Sequence, residues 1–375
     1  MKIIIAPDKF KGSLSAFDVC RSIEEGIRSV NPQCEIISLP MADGGDGFSA
    51  LIQYYLYTET IVCDTVDPLH RPMQASYQWD KKNNTAIIEL AAASGLVLLK
   101  EKERNPLLTS TYGTGLLIKD AIQKGASRII LGIGGSATND GGTGILAALG
   151  FTFFNENKEA LTTNGENLAA IKEIVAPSDA GEYAFEIACD VQNVLYGPNG
   201  ASFIYAPQKG ANSEQVAMLD EGMRNLADVL YRQTGRQIAH MPGSGAAGGI
   251  AACLLSFFDG EMKQGVDMII DISGIKHFIE NANLVITGEG RIDNQSLDGK
   301  VIGKIASLAH EKNIPVIAFC GKLSLTNDQL KQTGLSAAYA IGESIPLEES
   351  MKNAAVLLTE KSKEVIKIFF RKDFR

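Results

Sequence analysis

RIILGIGGSATNDGGTG, residues 128–144, runs from an apolar stretch into a segment with six glycines in its last thirteen residues. Glycine inside an element costs roughly 0.5–1 kcal/mol relative to alanine. Such a concentration at a strand end implies positive φ or a close approach of the backbone to something. The run before it is short, rich in Ile and Leu, and unbroken, which fits a strand buried on both faces. The same arrangement recurs. KIIIAP (2–7) leads into DKFKGS, EIISLP (35–40) into MADGGDGF, LVIT (284–287) into GEGRIDNQS, PVIAF (315–319) into CGK, and AAYAI (337–341) into GES. Helical periodicity follows, first from about Ser15 to Val30, with Ser15 and Asp18 at capping-box spacing. The helix after the glycine stretch is expected to end near Gly150, and the one after GEGRIDNQS near Lys312.

Short strands alternating with helices predict a doubly wound, mostly parallel, Rossmann-like α/β sheet. Two regions break the pattern. Residues 61–90 look like strands joined by turns (IVCDTVDP, MQASYQW, TAIIEL). Residues 151–268 mix the strand-like FTFF, FEIACD and ASFIYAP with a polar helix around Ser213–Thr234 and the glycine-rich GSGAAGG. The expected organisation is one α/β domain from 1–60, 91–150 and 269–375, and a second, inserted α+β domain from 61–90 and 151–268.

Composition narrows the partners. A net charge of −9 over 375 residues argues against nucleic acid or anionic membrane. The six cysteines form no Cys-x-x-Cys pair, as expected of a reduced compartment without a disulfide framework. The opening MKIIIAPDKF has too short an apolar run for a signal peptide, and no run approaches a membrane span. The expected location is cytoplasmic. Oligomeric state is not legible. None of the four histidines has metal-ligand spacing.

In an open parallel sheet, the loops at the carboxyl ends of the strands converge on one edge, where ligands bind. Here they carry Asp8, Lys9, Lys11, Asp43, Asp46, Ser136, Thr138, Asn139, Asp140, Glu289, Arg291 and Asp293. Glycine loops and helix N-termini offer N–H groups to phosphate oxygens. Carboxylates hold Mg²⁺, cations offset charge on a transferred group, and one carboxylate serves as base. The loops together therefore point to phosphoryl transfer. Taken singly, each has a plain structural alternative. Ser136, Thr138 and Asn139 suit helix caps. Asp43 and Asp46 suit a turn, and Asp190 a strand-end cap. Lys9, Lys11 and Lys209 suit a solvated surface, and Arg291 with Asp293 a local ion pair.

Competing motifs are few. Walker A is absent, because Gly299–Lys300 and Gly303–Lys304 are followed by Val and Ile. Gly132, Gly134 and Ala137 do fit the dinucleotide pattern G-x-G-x-x-[GA], with Glu156 placed as a ribose-binding acid. An NAD(P)-dependent oxidoreductase acting on a small hydroxy acid is therefore one alternative. A two-lobed small-anion binding protein is another.

APDKFKGSLSA, ADGGDG, GGSATNDGG, CDV, PQKGA, PGSGAAGG and GEGRIDNQS followed by GK occur in this order. With them the chain resembles the type I glycerate kinase family from about residue 3 to 365. The resemblance implies ATP- and divalent-cation-dependent phosphorylation of D-glycerate, with 2-phosphoglycerate favoured over 3-phosphoglycerate. It also implies two α/β domains, with the active site in the cleft between them. Departures are Val194 for a proline, Ala206 for a glycine, and Val301–Ile302 where a proline is usual. None removes a charge. On this footing Gly132, Gly134, Gly135, Ser136, Thr138, Asn139, Gly245 and Gly248 are expected to hold the nucleotide. Lys9, Lys11, Ser13 and Lys209 are expected at the substrate. Asp190, Asp43, Asp46, Asp293 and Arg291 are the catalytic candidates, with Asp190 first choice for the base, and Asp46 and Glu289 are assigned to Mg²⁺.

Overall fold

The structure, a computed structural model, describes all residues except 44–47, 179–180, 182, 294–299, 327–328, 331–332, 344 and 373–375. Its strands in chain order are β1 (Lys2–Ile5), β2 (Glu35–Ser38), β3 (Glu59–Val66), β4 (Pro72–Asp80), β5 (Thr85–Glu89), β6 (Arg128–Gly132), β7 (Thr152–Phe154), β8 (Glu173–Val175), β9 (Ala184–Ala188), β10 (Asp259–Lys263), β11 (Leu284–Ile292), β12 (Val316–Leu323) and β13 (Ala337–Ala340). The chain divides into two compact units, residues 1–55 with 265–375, and residues 56–264.

The first unit is a five-stranded parallel sheet of order β13-β12-β11-β1-β2. Its strands are near-continuous apolar runs because both faces are covered. Ile3, Ile5, Leu284, Ile286 and Phe319 share one core with helices Ala16–Arg28 and Ala354–Lys372. Ile4, Val285 and Ala318, which alternate with them, are fully buried too. The helix Ala16–Arg28 begins as expected: Ser15 Oγ accepts the Asp18 N–H at 3.2 Å. A Cβ on Gly26 would lie 2.6 Å from the Thr359 carbonyl oxygen, so glycine lets the two helices touch there. The strand order reverses direction between β1 and β11, which is where doubly wound sheets bind ligands.

The second unit centres on a six-stranded sheet of order β10-β9-β6-β5-β4-β3. β5, β6, β9 and β10 are parallel, and the β3–β4–β5 meander is antiparallel. Here the expected partition is corrected. Residues 91–150 do not belong with the first sheet, since β6 pairs with β5 on one side and β9 on the other. The two segments assigned to an insertion and the glycine-loop strand between them thus share one sheet, and the inserted unit is continuous. Local pattern could not reveal this, because an apolar strand buried on both faces fits the middle of either sheet.

ASFIYAP is not a strand. Residues Ala201–Tyr205 are helical, with Ala201, Ser202 and Ala206 buried while adjacent Phe203 and Ile204 face outward. Neighbouring residues on one exposed side contradict the alternation of a strand and suit a helix turn. The helix Ser213–Thr234 is where it was expected, opened by a reciprocal Asn212–Gln215 capping box.

Candidate functional site

In the first unit, side chains from the ends of β1, β2, β11 and β12 line one cavity of about 440 Å³. The volume lies within the range of small-molecule sites. The hairpin after β1 is held by reciprocal backbone bonds between Phe10 and Leu14. Ser13 Oγ donates to the Met351 carbonyl at 2.7 Å, tying the hairpin to the C-terminal helices. Lys9 Nζ stands 3.6 Å from Asp8 Oδ1 and 3.5 Å from Asp43 Oδ1. Asp8 is buried, and its pKa is pushed up to about 6, chiefly by desolvation, with Lys9 pulling down and Asp43 pushing up. Glu289 is buried on β11, and burial with its nearby charge pushes the Cys320 thiol up to about 12. Arg291 Nε is 3.2 Å from Asp293 Oδ2 in a largely exposed pair, which contributes little to stability.

The structure therefore brings Lys9, Lys11, Ser13, Asp43, Glu289, Arg291 and Asp293 to one cavity. Asp8, also among the loop residues, lines it too, and Lys300 and Lys322 are added to its walls. Asp46 lies outside the described residues. Mg²⁺ is usually held by one or two carboxylates together with substrate phosphates and water. Asp8, Asp43 and Glu289 supply hard oxygen donors of that kind, so the donor chemistry fits. Among the described residues, no three His, Cys, Asp or Glu side chains form a metal cage by themselves.

The second unit carries the glycine loop at the carboxyl end of β6. The six glycines do different things. A Cβ on Gly132 would meet the Glu89 carboxylate at 2.6 Å, and one on Gly144 would meet Ser110 Oγ at 2.4 Å. Gly141 and Gly142 have φ of +63° and +82° and are pressed against Leu226 and the Ile250 carbonyl. Gly135 has φ +70°. Around Gly134 alone of the six, nothing lies within 4 Å of an added Cβ. Packing thus accounts for most of the glycine content, and the approach of an outside group is left to Gly134.

Asp140 is the buried node of the loop. Its carboxylate accepts the Thr111 N–H and Thr111 Oγ1–H, each at 2.8 Å, and the Gly144 N–H at 3.2 Å. Burial pushes its pKa up against these bonds. Asn139 donates to Ser202 Oγ at 3.2 Å. Lys209, expected at the substrate, is only 2% exposed. Its Nζ donates to the Thr138 carbonyl at 2.6 Å and to Ser136 Oγ at 3.0 Å. Desolvation pulls its pKa down to about 7, opposed by the Asp140 charge. Lys209 is therefore a brace of the glycine loop, a role invisible in sequence because PQKG reads as a surface turn.

Gly245 and Gly248 also have contacts within the chain. An added Cβ would meet the Val194 carbonyl at 2.0 Å and the Thr138 carbonyl at 2.1 Å. Ser136 Oγ donates to the Ala247 carbonyl at 3.0 Å, so the 243–249 segment is laced to the loop. Asp190 is exposed just beyond β9. Gly132 pairs with Ala188, so Asp190 follows the end of the strand next to the one that leads into the glycine loop. Glu89, partner of Gly132 from β5, is a further carboxylate at this edge that sequence reading passed over. Its position at the end of the strand-like TAIIE was the available signal.

The dinucleotide alternative fails on topology. That motif needs the next strand parallel and adjacent, with its terminal acid near the ribose. β7 instead pairs antiparallel with β8 in a separate two-stranded sheet, and Glu156 is exposed beyond it.

Two carboxyl edges, one with cations and carboxylates around a cavity and one with a braced glycine loop, define an α/β enzyme that handles small anions. The model of the glycerate kinase family matches residues 3–370. A glycerate kinase of Halalkalibacterium halodurans is 39% identical, aligned over 97% of each chain. A glycerate 2-kinase of Escherichia coli is 40% identical over 94% of each. A crystal structure from Salmonella typhimurium, provisionally assigned as glycerate kinase 2, superposes with a TM-score of 0.87 at 35% identity, covering all of both chains. The chain belongs to the glycerate kinase family. No helix among the described residues is long and apolar enough to cross a membrane.

Proposed function

We propose that the protein transfers the γ-phosphoryl group of ATP to the 2-hydroxyl of D-glycerate. What supports this most directly is the first-unit cavity, where cations and carboxylates from four separate chain segments surround a space at the sheet's switch point. Glycerate lies there, its carboxylate held by Arg291, Lys11 and Lys9 and its hydroxyl groups by Ser13 and the carboxylates. The nucleotide phosphates lie over Gly134 and the N–H groups of the Gly132–Thr138 loop, whose shape Lys209 and Asp140 fix. Asp190 takes the proton of the attacking hydroxyl as general base. Asp43 and Glu289 would hold Mg²⁺, which would offset charge on the transferred group when bound.

The name of the Escherichia coli relative supports the 2-hydroxyl as acceptor. The test is ADP release with MgATP and D-glycerate, coupled to enolase, which dehydrates 2- but not 3-phosphoglycerate. Stoichiometric ADP and phosphoenolpyruvate are expected. ADP without dehydration would assign the 3-hydroxyl, and no glycerate-dependent ADP would overturn the function.

A further inference from the structure

β11 and β12 run parallel, and Arg291 is the register partner of Lys322, as Glu289 is of Cys320. Partners on neighbouring strands about 4.8 Å apart present their side chains on the same face. Two cations are thus side by side at the outer end of the strand pair, an arrangement that is destabilising when nothing lies between them. Arg291 is partly offset by Asp293. Lys322 has no ion pair or hydrogen bond of its side chain among the described residues, and neither does Lys11, whose backbone nitrogen lies 3.1 Å from where a Cβ on Gly290 would be. The hairpin after β1 therefore crosses β11 at this point. All three cations line the same cavity.

Two residues inward on the same strand face, about 6.6 Å along the chain, stands the buried carboxylate of Glu289. The wall is therefore polar in sequence: cations at the mouth, carboxylate deeper. That order suits a small molecule with an anionic group at one end and hydroxyl groups at the other. Arginine matches a carboxylate with its planar fork, and lysine adds a mobile point charge.

We propose that Lys322 is a specificity-determining residue that, with Arg291, binds the carboxylate of the acceptor and so selects a hydroxy acid over a neutral polyol. The assignment rests on glycerate being the acceptor. Removing one charge-assisted contact to a carboxylate weakens binding about 10–100-fold. Lys322→Gln is expected to raise KM for D-glycerate by that factor while changing kcat and KM for ATP less than about twofold. Lys322→Arg restores most of the loss. Discrimination between glycerate and glycerol narrows in Lys322→Gln.

The deciding measurement is calorimetric titration of D-glycerate into wild type, Lys322→Gln and Lys322→Arg without nucleotide, beside steady-state kinetics of all three. Lys322 is exposed, so the variants fold. Loss of glycerate binding in Lys322→Gln and recovery in Lys322→Arg is the expected result. Equal glycerate affinity in wild type and Lys322→Gln overturns the subsite while leaving the kinase intact. A rise in KM for ATP alone overturns it in favour of a nucleotide contact. A wild type that neither binds nor phosphorylates glycerate overturns the function and the subsite together.

Discussion

Lys209 offers a quantitative test of the buried brace. Its ammonium is held by the Thr138 carbonyl and Ser136 Oγ, with almost no solvent contact. Burial lowers its pKa to about 7, whereas the unfolded chain keeps it near 10.4. Between those values the unfolded state binds more protons than the native one, so stability rises with pH. Below about pH 7 both states are protonated and the residue contributes no slope. The full slope is about 1.4 kcal/mol per pH unit, which gives an order of 2–4 kcal/mol between pH 7 and pH 10. Lys209→Met removes this dependence. It also leaves Ser136 Oγ and Thr138 O with fewer partners, an offset of roughly 1–3 kcal/mol at any pH. The slope is therefore the signal. Thermal unfolding of both proteins from pH 6 to pH 10 should show wild type gaining several degrees on the variant, at about 2–4 °C per kcal/mol. Parallel curves would mean that Lys209 titrates like a surface lysine, and the braced loop would be wrong.

Asp190→Asn is expected to lower kcat by about 10²–10⁴ without changing the melting temperature; near-normal turnover in a steady-state assay removes Asp190 as base. Gly134→Ala meets no atom within 4 Å, so it should keep its stability while KM for ATP rises. Gly142→Ala, at φ +82° and 2.7 Å from the Ile250 carbonyl, should lose more than about 1 kcal/mol in chemical denaturation; a stable Gly142→Ala or an unaffected Gly134→Ala nucleotide KM contradicts the division of the glycines. Asp8 has its pKa raised to about 6, so the native state retains a proton that the unfolded chain releases near pH 4. Stability should fall as pH rises from 4 to 6, and Asp8→Asn should flatten that fall and be the more stable protein at pH 7. The same thermal scans show whether it does.

Much of the first unit was legible because each of its strands is an unbroken apolar run followed by charged residues, the mark of a parallel sheet with its loops on one edge. KIIIAP, LVIT and PVIAF carry Asp8, Lys9, Glu289, Arg291 and Lys322 to one cavity for that reason. The ownership of RIILGI was not legible, since strand pairing is set by contacts distant in sequence: Leu131 is matched to Ile88 and Ile187. ASFIY misled because aromatic and branched residues favour strands, while its burial follows a helix turn anchored beside Pro207. Lys209 misled because a lysine after Pro-Gln gives no local sign of being enclosed. The glycine loop was recognised, but sequence could not separate Gly134, which faces open space, from Gly141 and Gly142, which are required by φ and packing.

The most direct test is ³¹P NMR of the purified protein with MgATP and D-glycerate, with a matched sample containing NAD⁺ in place of ATP. The account predicts a new phosphomonoester resonance split by a single carbon-bound proton, the pattern of a phosphate on C2, and no NADH in the control. A triplet from the C3 methylene would move the phosphate to the other hydroxyl. Absence of any phosphomonoester while ATP and glycerate persist would contradict phosphoryl transfer to glycerate itself.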